Sequence, residues 1–341
     1  MSKFANSSGV GLSVAVWLAH DDYDYVVDPN YISVTTLMKP VKQIVLAKRL
    51  PDPATMPTPD VLQMYASRRG SAIHDSIERV WINNYDSSLK SLGIKKVIRD
   101  MIRINPTDEE VLGYEEDGVE IIPVYMEQRE QKEVHGFIVG GKYDLILEGY
   151  LEDYKTTSTY TYTHGTNDEK HKLQGSLYRW LNPKKVTQDI MKIQYLFTDW
   201  NRMESLRNPD YPAEAVLEKR HQLHSYAETN NYVNDKLIMI KQLDSKPENE
   251  MPDCTDEDLW REKDVFKYFA DPAKVVNGVP LKGTRATKNF TTKLEADAHR
   301  RTKGKGIVVT VKGKVKACIY CDVAVICQQK DVYLANGSLV L

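Results

Sequence analysis

The sequence predicts an α/β fold in which a mixed β-sheet is flanked by helices. Apolar residues recur at helical spacing over 60–83, where Ile73, Ile77, Val80 and Trp81 fall on one stripe. Short runs rich in β-branched and aromatic residues follow, and after them come a second helical pattern and another strand pattern. This order of helix, strand meander, helix and strand is typical of a mixed sheet covered by helices.

The predicted elements define four regions of the chain. A lead-in region over 1–60 holds a helical stretch at 41–49 and a proline-rich loop at 51–59. Periodicity predicts helices over 60–83, 90–104 and 170–181, and a long polar helix or helix pair over 212–243. Strands are predicted over 120–127, 134–139, 142–147, 150–155, 190–198 and 306–311. We therefore expect a core over 61–205, a helical segment over 206–250, and a basic, cysteine-bearing region over 251–341 packed on the core.

The composition is that of an ordinary globular chain. The 341 residues are 41% hydrophobic and 28% charged, which is compatible with a full core. No run of about 18 apolar residues is present. The N-terminal residues lack the basic region and apolar stretch of a secretory signal. We therefore expect no membrane span and a cytoplasmic location.

One predicted hairpin brings charged side chains together. Strand patterns flank Glu148 and Gly149, so a two-residue turn pairs residue 147 with 150 and, counting back, Asp144 with Asp153. Directly opposed residues have Cβ atoms about 4.5–5.5 Å apart, and Lys155 shares the face of Asp153 because side chains alternate along a strand. Two carboxylates so close repel unless a cation lies between them. The hairpin thus predicts a divalent metal site beside Lys155, the alternative for Asp153 and Lys155 being an exposed ion pair.

Further acidic and imidazole groups stand near this hairpin in the predicted fold. His74 and Glu78 are four residues apart and share a helix face next to the apolar stripe. That face either aims both side chains at the hairpin or holds a partly buried histidine paired with Glu78. Glu127 ends an apolar strand, and is either a third acid near the metal or a surface partner of Arg129.

Four motifs follow one another along the chain, namely Gly70-x3-His74-x3-Glu78, Gly141-x2-Asp144, Asp153-Tyr154-Lys155 and Gln174-x3-Tyr178. Taken in this order, they resemble the PD-(D/E)xK nuclease superfamily in its RecB-like branch. Tyr143 stands where a proline commonly leads the first acid. The resemblance implies a restriction-endonuclease-like core that binds Mg2+ or Mn2+ through His74, Asp144, Asp153 and Glu78. It also implies that Lys155 orients or helps deprotonate the attacking water.

The resemblance also implies contacts with the substrate. Gln174 and Tyr178 would contact nucleic acid near the scissile phosphate, since glutamine can bond to a phosphate or base edge and tyrosine can stack on a base. The alternative for Tyr178 is a ring packed on the sheet.

The four cysteines predict a metal site. Cys318, Cys321 and Cys327 form Cys-x2-Cys-x5-Cys, and Cys254 precedes them. In a cytosolic protein this spacing favours a metal over disulfides, and four thiolates suit either zinc or an iron–sulfur cluster. The spacing resembles that of AddB-type recombination nucleases and CRISPR-associated spacer-acquisition nucleases, which implies a [4Fe–4S] cluster. The fourth cysteine of those proteins precedes the histidine motif, but no cysteine precedes residue 254 in this chain. Cys254 must therefore supply the fourth ligand, as the resemblance to bacteriophage-type members implies, or the site is incomplete.

A basic segment over 282–316 lies between Cys254 and Cys318 in the chain. It holds eleven Lys/Arg and two acidic residues, so its charge is 11 − 2 = +9, against −2 for the whole chain. Neutralising phosphates releases counterions and gives sequence-independent affinity. We therefore expect this segment, including Arg300 and Arg301, to bind DNA; the alternative is a solvated surface loop.

Together these features predict a metal-dependent exonuclease that acts on DNA ends or single strands. The alternatives are a structure-specific endonuclease, a DNA-binding subunit with a vestigial nuclease site, and a zinc-stabilised RNA-processing protein. A recombination or replication protein is an expected partner, and the sequence does not determine the oligomeric state.

Overall fold

The computed structural model describes residues 3–21, 24–52 and 58–340, which form two compact units. The first unit comprises Met1–Lys39 and Asp52–Met239, and the second comprises Pro40–Pro51 and Ile240–Leu341. Residues 53–57 of the predicted proline-rich loop lie outside the described residues.

The described residues form the following elements. The α-helices are α1 (Leu12–Ala19), α2 (Val34–Leu37), α3 (Val41–Ala47), α4 (Tyr65–Ser91), α5 (Lys96–Met101), α6 (Asp108–Glu116), α7 (Thr159–His164), α8 (Asp168–Leu181), α9 (Arg202–Arg207), α10 (Tyr226–Leu243), α11 (Lys293–Lys303) and α12 (Gln328–Ala335). The strands are β1 (Tyr31–Ser33), β2 (Ile102–Ile104), β3 (Ile122–Met126), β4 (Arg129–Val134), β5 (Phe137–Lys142), β6 (Leu145–Leu147), β7 (Tyr150–Thr157), β8 (Ile190–Phe197), β9 (Val216–Gln222), β10 (Val265–Phe269), β11 (Val275–Val276), β12 (Val279–Pro280), β13 (Lys288–Phe290) and β14 (Ile307–Val311).

A six-stranded mixed sheet in the order β2-β3-β6-β7-β8-β9 organises the first unit. The β2–β3 and β7–β8 pairs are parallel, and the other pairs are antiparallel. Helix α4 packs Ile77 and Trp81 against a buried cluster that includes Met126 and Tyr154. Helix α8 lies on the opposite face, where Gln174 reaches Asp153, the neighbour of Tyr154 on β7. The prediction of a mixed α/β fold with helices flanking the sheet is therefore confirmed.

A bent two-stranded ribbon joins this sheet to a three-stranded sheet in the order β1-β5-β4. We call residues 122–134 and 137–147 the bent ribbon, because β3 continues into β4 and β5 continues into β6 across a break in the ladder. The register pairs Met126 with Leu145 on one side of the break and Arg129 with Lys142 on the other. Positions 127 and 144 therefore fall opposite each other at the bend, where the residue-127 N–H donates to the residue-144 carbonyl at 3.2 Å.

The predicted hairpin at Glu148–Gly149 is confirmed. Leu147 pairs with Tyr150 across a turn whose two residues have φ angles of 52° and 77°. Positive φ at both positions is the requirement of the turn type that suits a two-residue hairpin. The ladder extends to the pair of Leu145 with Glu152, one position short of Asp144.

Two secondary-structure predictions in the first half of the chain are wrong. The strand expected over 134–139 is interrupted by His135 and Gly136, whose φ angles of 54° and 83° form the turn between β4 and β5. The helix expected over 90–104 is divided, because α4 continues to Ser91 and Ile102–Ile104 pairs with β3 as β2.

The helical segment expected over 206–250 is also corrected. Residues Val216–Gln222 form β9, which pairs with β8 and completes the sheet, and the helix α10 begins afterwards. Exposure alternates along β9, so that Glu218 and Arg220 fall on the exposed face and His221 is buried on the other. That period of two, rather than a helical one, decides the structure.

The second unit contains a small antiparallel sheet in the order β13-β10-β14, with a two-stranded β11–β12 hairpin beside it in the chain. On α11, His299 places its ring 4.9 Å from that of Tyr268 and 5.1 Å from that of Phe290. Among the described residues, none of the helices combines the length and apolar character needed to cross a membrane.

Replacing each of two motif glycines with alanine is expected to change the free energy of unfolding in opposite directions. A Cβ at Gly141 would lie 2.6 Å from Tyr178 Cε1 and 2.9 Å from Val34 Cγ2, whereas a Cβ at Gly70 would meet Thr156 Oγ1 at an ordinary 3.5 Å. Gly141→Ala should lower the free energy of unfolding by about 1–3 kcal/mol through overpacking. Gly70→Ala should raise it by about 0.5–1 kcal/mol, since alanine favours a helix interior. Urea denaturation of both variants measures this, and equal effects would contradict the packing described for Gly141.

Candidate metal centre and active site

Three potential metal ligands meet at the bend of the ribbon. His74 of α4, Glu127 and Asp144 each offer a ligand atom, and these atoms lie within 4.8 Å of one another. His74 Nδ1 is 3.5 Å from Asp144 Oδ1, and His74 Nε2 is 3.0 Å from the Tyr154 carbonyl oxygen. Two carboxylates and an imidazole form a donor set that divalent ions such as Mn2+ accept.

Asp144 is fixed in this group by backbone and side-chain contacts. The Tyr154 N–H donates to Asp144 Oδ2 at 2.8 Å. Burial acts to raise the pKa of Asp144, but the hydrogen bond and charge of His74 and the charge of Lys155 lower the pKa on balance. Burial alone would lower the pKa of His74, but Asp144 outweighs it and raises that pKa. Asp144 is therefore ionised at neutral pH, as a metal ligand must be.

The buried Asp153 and the partly exposed Lys155 form an ion pair next to this group. Lys155 Nζ lies 2.5 Å from Asp153 Oδ2, and Gln174 Nε2 donates to Asp153 Oδ1 at 3.3 Å. Burial raises the pKa of Asp153, with the charge of Asp144 adding to the effect and Lys155 opposing it. Burial would lower the pKa of Lys155, but the two aspartates raise it. Lys155 therefore stays protonated, and its ammonium group is ion-paired with Asp153.

Of the five predicted ligands of the divalent ion, His74, Glu127 and Asp144 form the group, and Asp153 and Glu78 stand outside it. Glu127, and not Asp153, completes the group with His74 and Asp144, because the Asp153 carboxylate is engaged by Lys155 and Gln174. The alternative of an exposed Asp153–Lys155 pair is also wrong, since Asp153 is 4% exposed. The expectation that Lys155 stands beside the metal ligands agrees with the raised pKa that the charge of Asp144 gives it.

Glu127 has a partner that the sequence reasoning missed. Lys142 Nζ lies 2.6 Å from Glu127 Oε2, whereas Arg129, the alternative partner, donates to the Tyr31 hydroxyl at 2.9 Å. Burial raises the pKa of Glu127, Lys142 opposes that effect, and the charges of Asp144 and Glu78 add to it. Lys142 precedes Asp144 by two residues within the Gly141-x2-Asp144 motif. That position is the sequence signal that places Lys142 near the acidic group.

Glu78 is near this group but is not one of its three ligands. Its negative charge contributes to the raised pKa of Glu127. Counted formally with histidine neutral, the four carboxylates Asp144, Asp153, Glu127 and Glu78 and the two ammonium groups of Lys142 and Lys155 sum to 2 − 4 = −2. A partly buried site with this charge favours a divalent cation over an empty state.

Tyr178 does not have the predicted stacking role. It is 6% exposed, and its hydroxyl donates to the Lys142 carbonyl at 2.9 Å. The ring fills the space left by the missing side chain of Gly141. This burial favours the alternative of a ring packed on the sheet. Gln174, predicted to contact substrate, donates to Asp153 in this structure.

The four cysteines are free thiols in the second unit. Cys254 and Cys318 belong to one hydrophobic cluster with Leu259, Val315 and Leu339. Burial raises the pKa of Cys254 to about 12, and the neighbouring Cys327 and Cys321 add to that shift. The pKa of Cys318 is raised by burial and by the same two cysteines. Cys321 and Cys327 therefore oppose the ionisation of both Cys254 and Cys318, a cost that a bound metal would remove.

Polar side chains hold two of these cysteines in place. Gln329 accepts from the Cys254 N–H and donates to the Cys254 carbonyl, both at 2.9 Å. Glu248 accepts from the Gln328 N–H at 2.8 Å and from Cys327 Sγ at 3.6 Å. The start of α12 is therefore tied to the segment that carries Cys254.

The predicted DNA-binding arginines lie near the C-terminal end of α11. Arg300 and Arg301 are both exposed, and Arg300 Nε is 3.9 Å from Asp297. Two other cations of the basic segment are paired, Lys312 with Asp264 at 2.9 Å and Lys316 with Glu262 at 2.7 Å.

Comparison with known proteins yields distant structural likenesses, among them two solved structures. No protein-family model matches this chain, and no curated protein matches it. The crystal structure of SSO0001 aligns with 16% sequence identity and a TM-score of 0.37, covering 63% of this chain and 79% of that chain. A phage-related exonuclease from Haemophilus somnus 129PT aligns with 13% identity and a TM-score of 0.24, covering 39% of this chain and 63% of that chain. At these scores neither likeness establishes the fold family or the activity of this protein.

Proposed function

We propose that this protein is a metal-dependent deoxyribonuclease with a restriction-endonuclease-like core, acting as an exonuclease on DNA ends or single strands. One observation carries the proposal: His74, Glu127 and Asp144 meet within 4.8 Å, with the Asp153–Lys155 ion pair beside them. The four motifs that resemble the RecB-like nucleases support the same activity.

His74, Glu127 and Asp144 would hold a Mg2+ or Mn2+ ion. Their donor chemistry and the local charge of −2 fit such an ion, and the imidazole favours manganese over magnesium. The chemistry that a divalent ion supplies when bound is the acidification of a water molecule and the neutralisation of phosphoryl charge.

Lys155 would act as an electrostatic stabiliser rather than as a base. Its pKa is raised by Asp153 and Asp144, so the ammonium group keeps its proton at neutral pH. Asp153 and Gln174 fix the position of that charge. A protonated lysine donates to the phosphoryl oxygen on which negative charge develops, and this interaction is stronger in the transition state than in the ground state.

We further propose DNA as the substrate, with the basic segment 282–316 contributing phosphate contacts through Arg300 and Arg301. Both side chains are exposed, and the segment carries a charge of +9. A cytoplasmic, bacteriophage-type recombination nuclease is the setting that the motifs favour, with a recombination or replication protein as its partner.

The decisive experiment is digestion of end-labelled linear DNA and covalently closed circular DNA in Mn2+. We expect release of label from the linear substrate and no change in the circle. Cutting of the circle at a similar rate would assign an endonuclease instead. Cutting of neither DNA, with RNA degraded in parallel, would overturn the choice of DNA as the substrate.

We also propose that Cys254, Cys318, Cys321 and Cys327 hold a [4Fe–4S] cluster, with zinc as the alternative. Protein purified without oxygen should be brown and contain about four iron atoms per chain. Cys254→Ser should lose most of that iron and the visible absorbance, because Cys254 is the ligand separated from the other three in sequence. A colourless wild-type protein containing zinc and no iron would refute the cluster.

A further inference from the structure

A basic cleft lies in the first unit, away from the three metal ligands. It has a volume of about 890 Å³ and lies between the end of α4, helix α5 and the edge strand β2. Its lining residues are Tyr85, Asp86, Lys90, Lys96, Arg99, Asp100 and Arg103. Four cations and two acids give it a formal charge of 4 − 2 = +2.

One arginine of this cleft is buried and fixed by protein acceptors. Arg99 is 9% exposed, and its Nε donates to the Ile94 carbonyl at 3.2 Å. Its Nη1 donates to the carboxylate and the carbonyl of Asp86. The guanidinium plane therefore has a defined orientation before any ligand binds.

The second arginine is held in the same manner. Arg103 Nε donates to the Tyr114 hydroxyl at 3.0 Å, and its Nη1 donates to the Asp100 and Ile102 carbonyls at 2.7 and 2.9 Å. Within the described part of the chain, the Nη2 atom of neither guanidinium has an acceptor. Two oriented guanidinium groups with an unused donor each are suited to binding the oxygens of phosphate groups.

The cleft stands at a defined distance from the metal ligands along α4. Asp86 follows His74 by twelve residues of uninterrupted helix, and a rise of 1.5 Å per residue makes that separation about 18 Å. A DNA strand in a duplex advances about 3.4 Å per nucleotide. A duplex lying along α4 would span that separation with about five base pairs.

We propose that this cleft binds backbone phosphates of the DNA substrate about five base pairs from the reacting phosphate. The inference rests on the proposed nuclease function, and it assigns to that enzyme a second contact region for duplex DNA. Lys90 and Lys96 are exposed at the cleft. Lys96 pairs with Asp100 at 2.6 Å, so a bound strand would exchange that exposed ion pair for a phosphate contact. A free mononucleotide offers the same phosphate chemistry, so the test must separate it from a strand.

The test compares Lys90→Gln/Lys96→Gln with the charge-matched control Lys95→Gln/Lys184→Gln, whose exposed lysines do not line the cleft. Binding of fluorescent hairpin duplexes of 4 and 12 base pairs is measured in EDTA at several salt concentrations. For the 12-base-pair duplex we expect the cleft variant to lower the slope of log K against log salt by about 2, one for each lost phosphate contact. For the 4-base-pair duplex the two variants should bind alike.

Two results would overturn the inference. Equal slopes for both double variants on the long duplex would show that the cleft does not bind the strand. The wild type could instead bind a deoxynucleoside monophosphate as tightly as the duplex, with that binding lost in the cleft variant. This result would identify a nucleotide site. Because these measurements need no cleavage, a wild type that binds in this length-dependent way without cutting DNA would contradict the proposed function and not the cleft.

Discussion

Replacing Lys155 with alanine is expected to lower the single-turnover rate of DNA cleavage by at least about 100-fold, which is typical for removing one preorganised charge-stabilising donor. Lys155 is protonated because Asp153 and Asp144 raise its pKa, so the change removes a fixed positive charge from the site. DNA affinity measured in EDTA should stay within about twofold, since this charge acts mainly in the transition state. Cleavage by the variant at the wild-type rate would contradict the role given to Lys155.

A second variant separates this effect from lost stability. Lys155→Ala leaves Asp153 buried without its partner, which should lower the free energy of unfolding by about 1–3 kcal/mol. Adding Asp153→Asn removes the unpaired charge and should recover part of that stability without recovering cleavage. Recovery of both together would show that Lys155 acts only by keeping the fold intact.

Asp144→Asn is expected to abolish Mn2+ binding detectable by calorimetry and to reduce cleavage by about 10²–10³-fold. Asparagine keeps the size of the side chain and can still accept from the Tyr154 N–H, but it lacks the charge that a cation requires. The pKa of His74 should fall in the variant, because the Asp144 carboxylate is what raises it, and NMR titration of the imidazole reports that change.

Glu152→Gln is the matched control for this prediction. Glu152 is a carboxylate on the same hairpin, but it pairs with Lys192 at 3.0 Å and does not belong to the group of three ligands. It should bind Mn2+ and cut DNA as the wild type does. Wild-type Mn2+ affinity in Asp144→Asn would refute the metal centre.

The sequence predicts those parts of the site that depend on local rules. The turn at Glu148–Gly149 sets the register of the hairpin, and the period of two places Asp153 and Lys155 on one face. Helical spacing likewise places His74 on the face of α4 that reaches Tyr154. These relations involve residues near one another in the chain, so propensity and periodicity are sufficient to find them.

The role of Glu127 needed information that the sequence does not carry locally. Its position opposite Asp144 depends on a ladder between segments about 17 residues apart and on the bend between two sheets. The burial of Tyr178 against Gly141 is a tertiary contact of the same kind. Strand β9 was missed because Glu218, Lys219 and Arg220 suggest a solvated helix, and pairing with β8 overrides that propensity.

The bent ribbon would couple the proposed metal site to torsion between the two sheets of the first unit. Glu127 and Asp144 occupy the break through which β3 and β5 pass from one sheet into the other, so their peptides carry any twist between the two. A contact that displaces the turn at His135 and Gly136 would therefore shift the two carboxylates through strands β4 and β5. A change in the twist of these two strands would change the affinity for the cation without any contact to the ligand side chains.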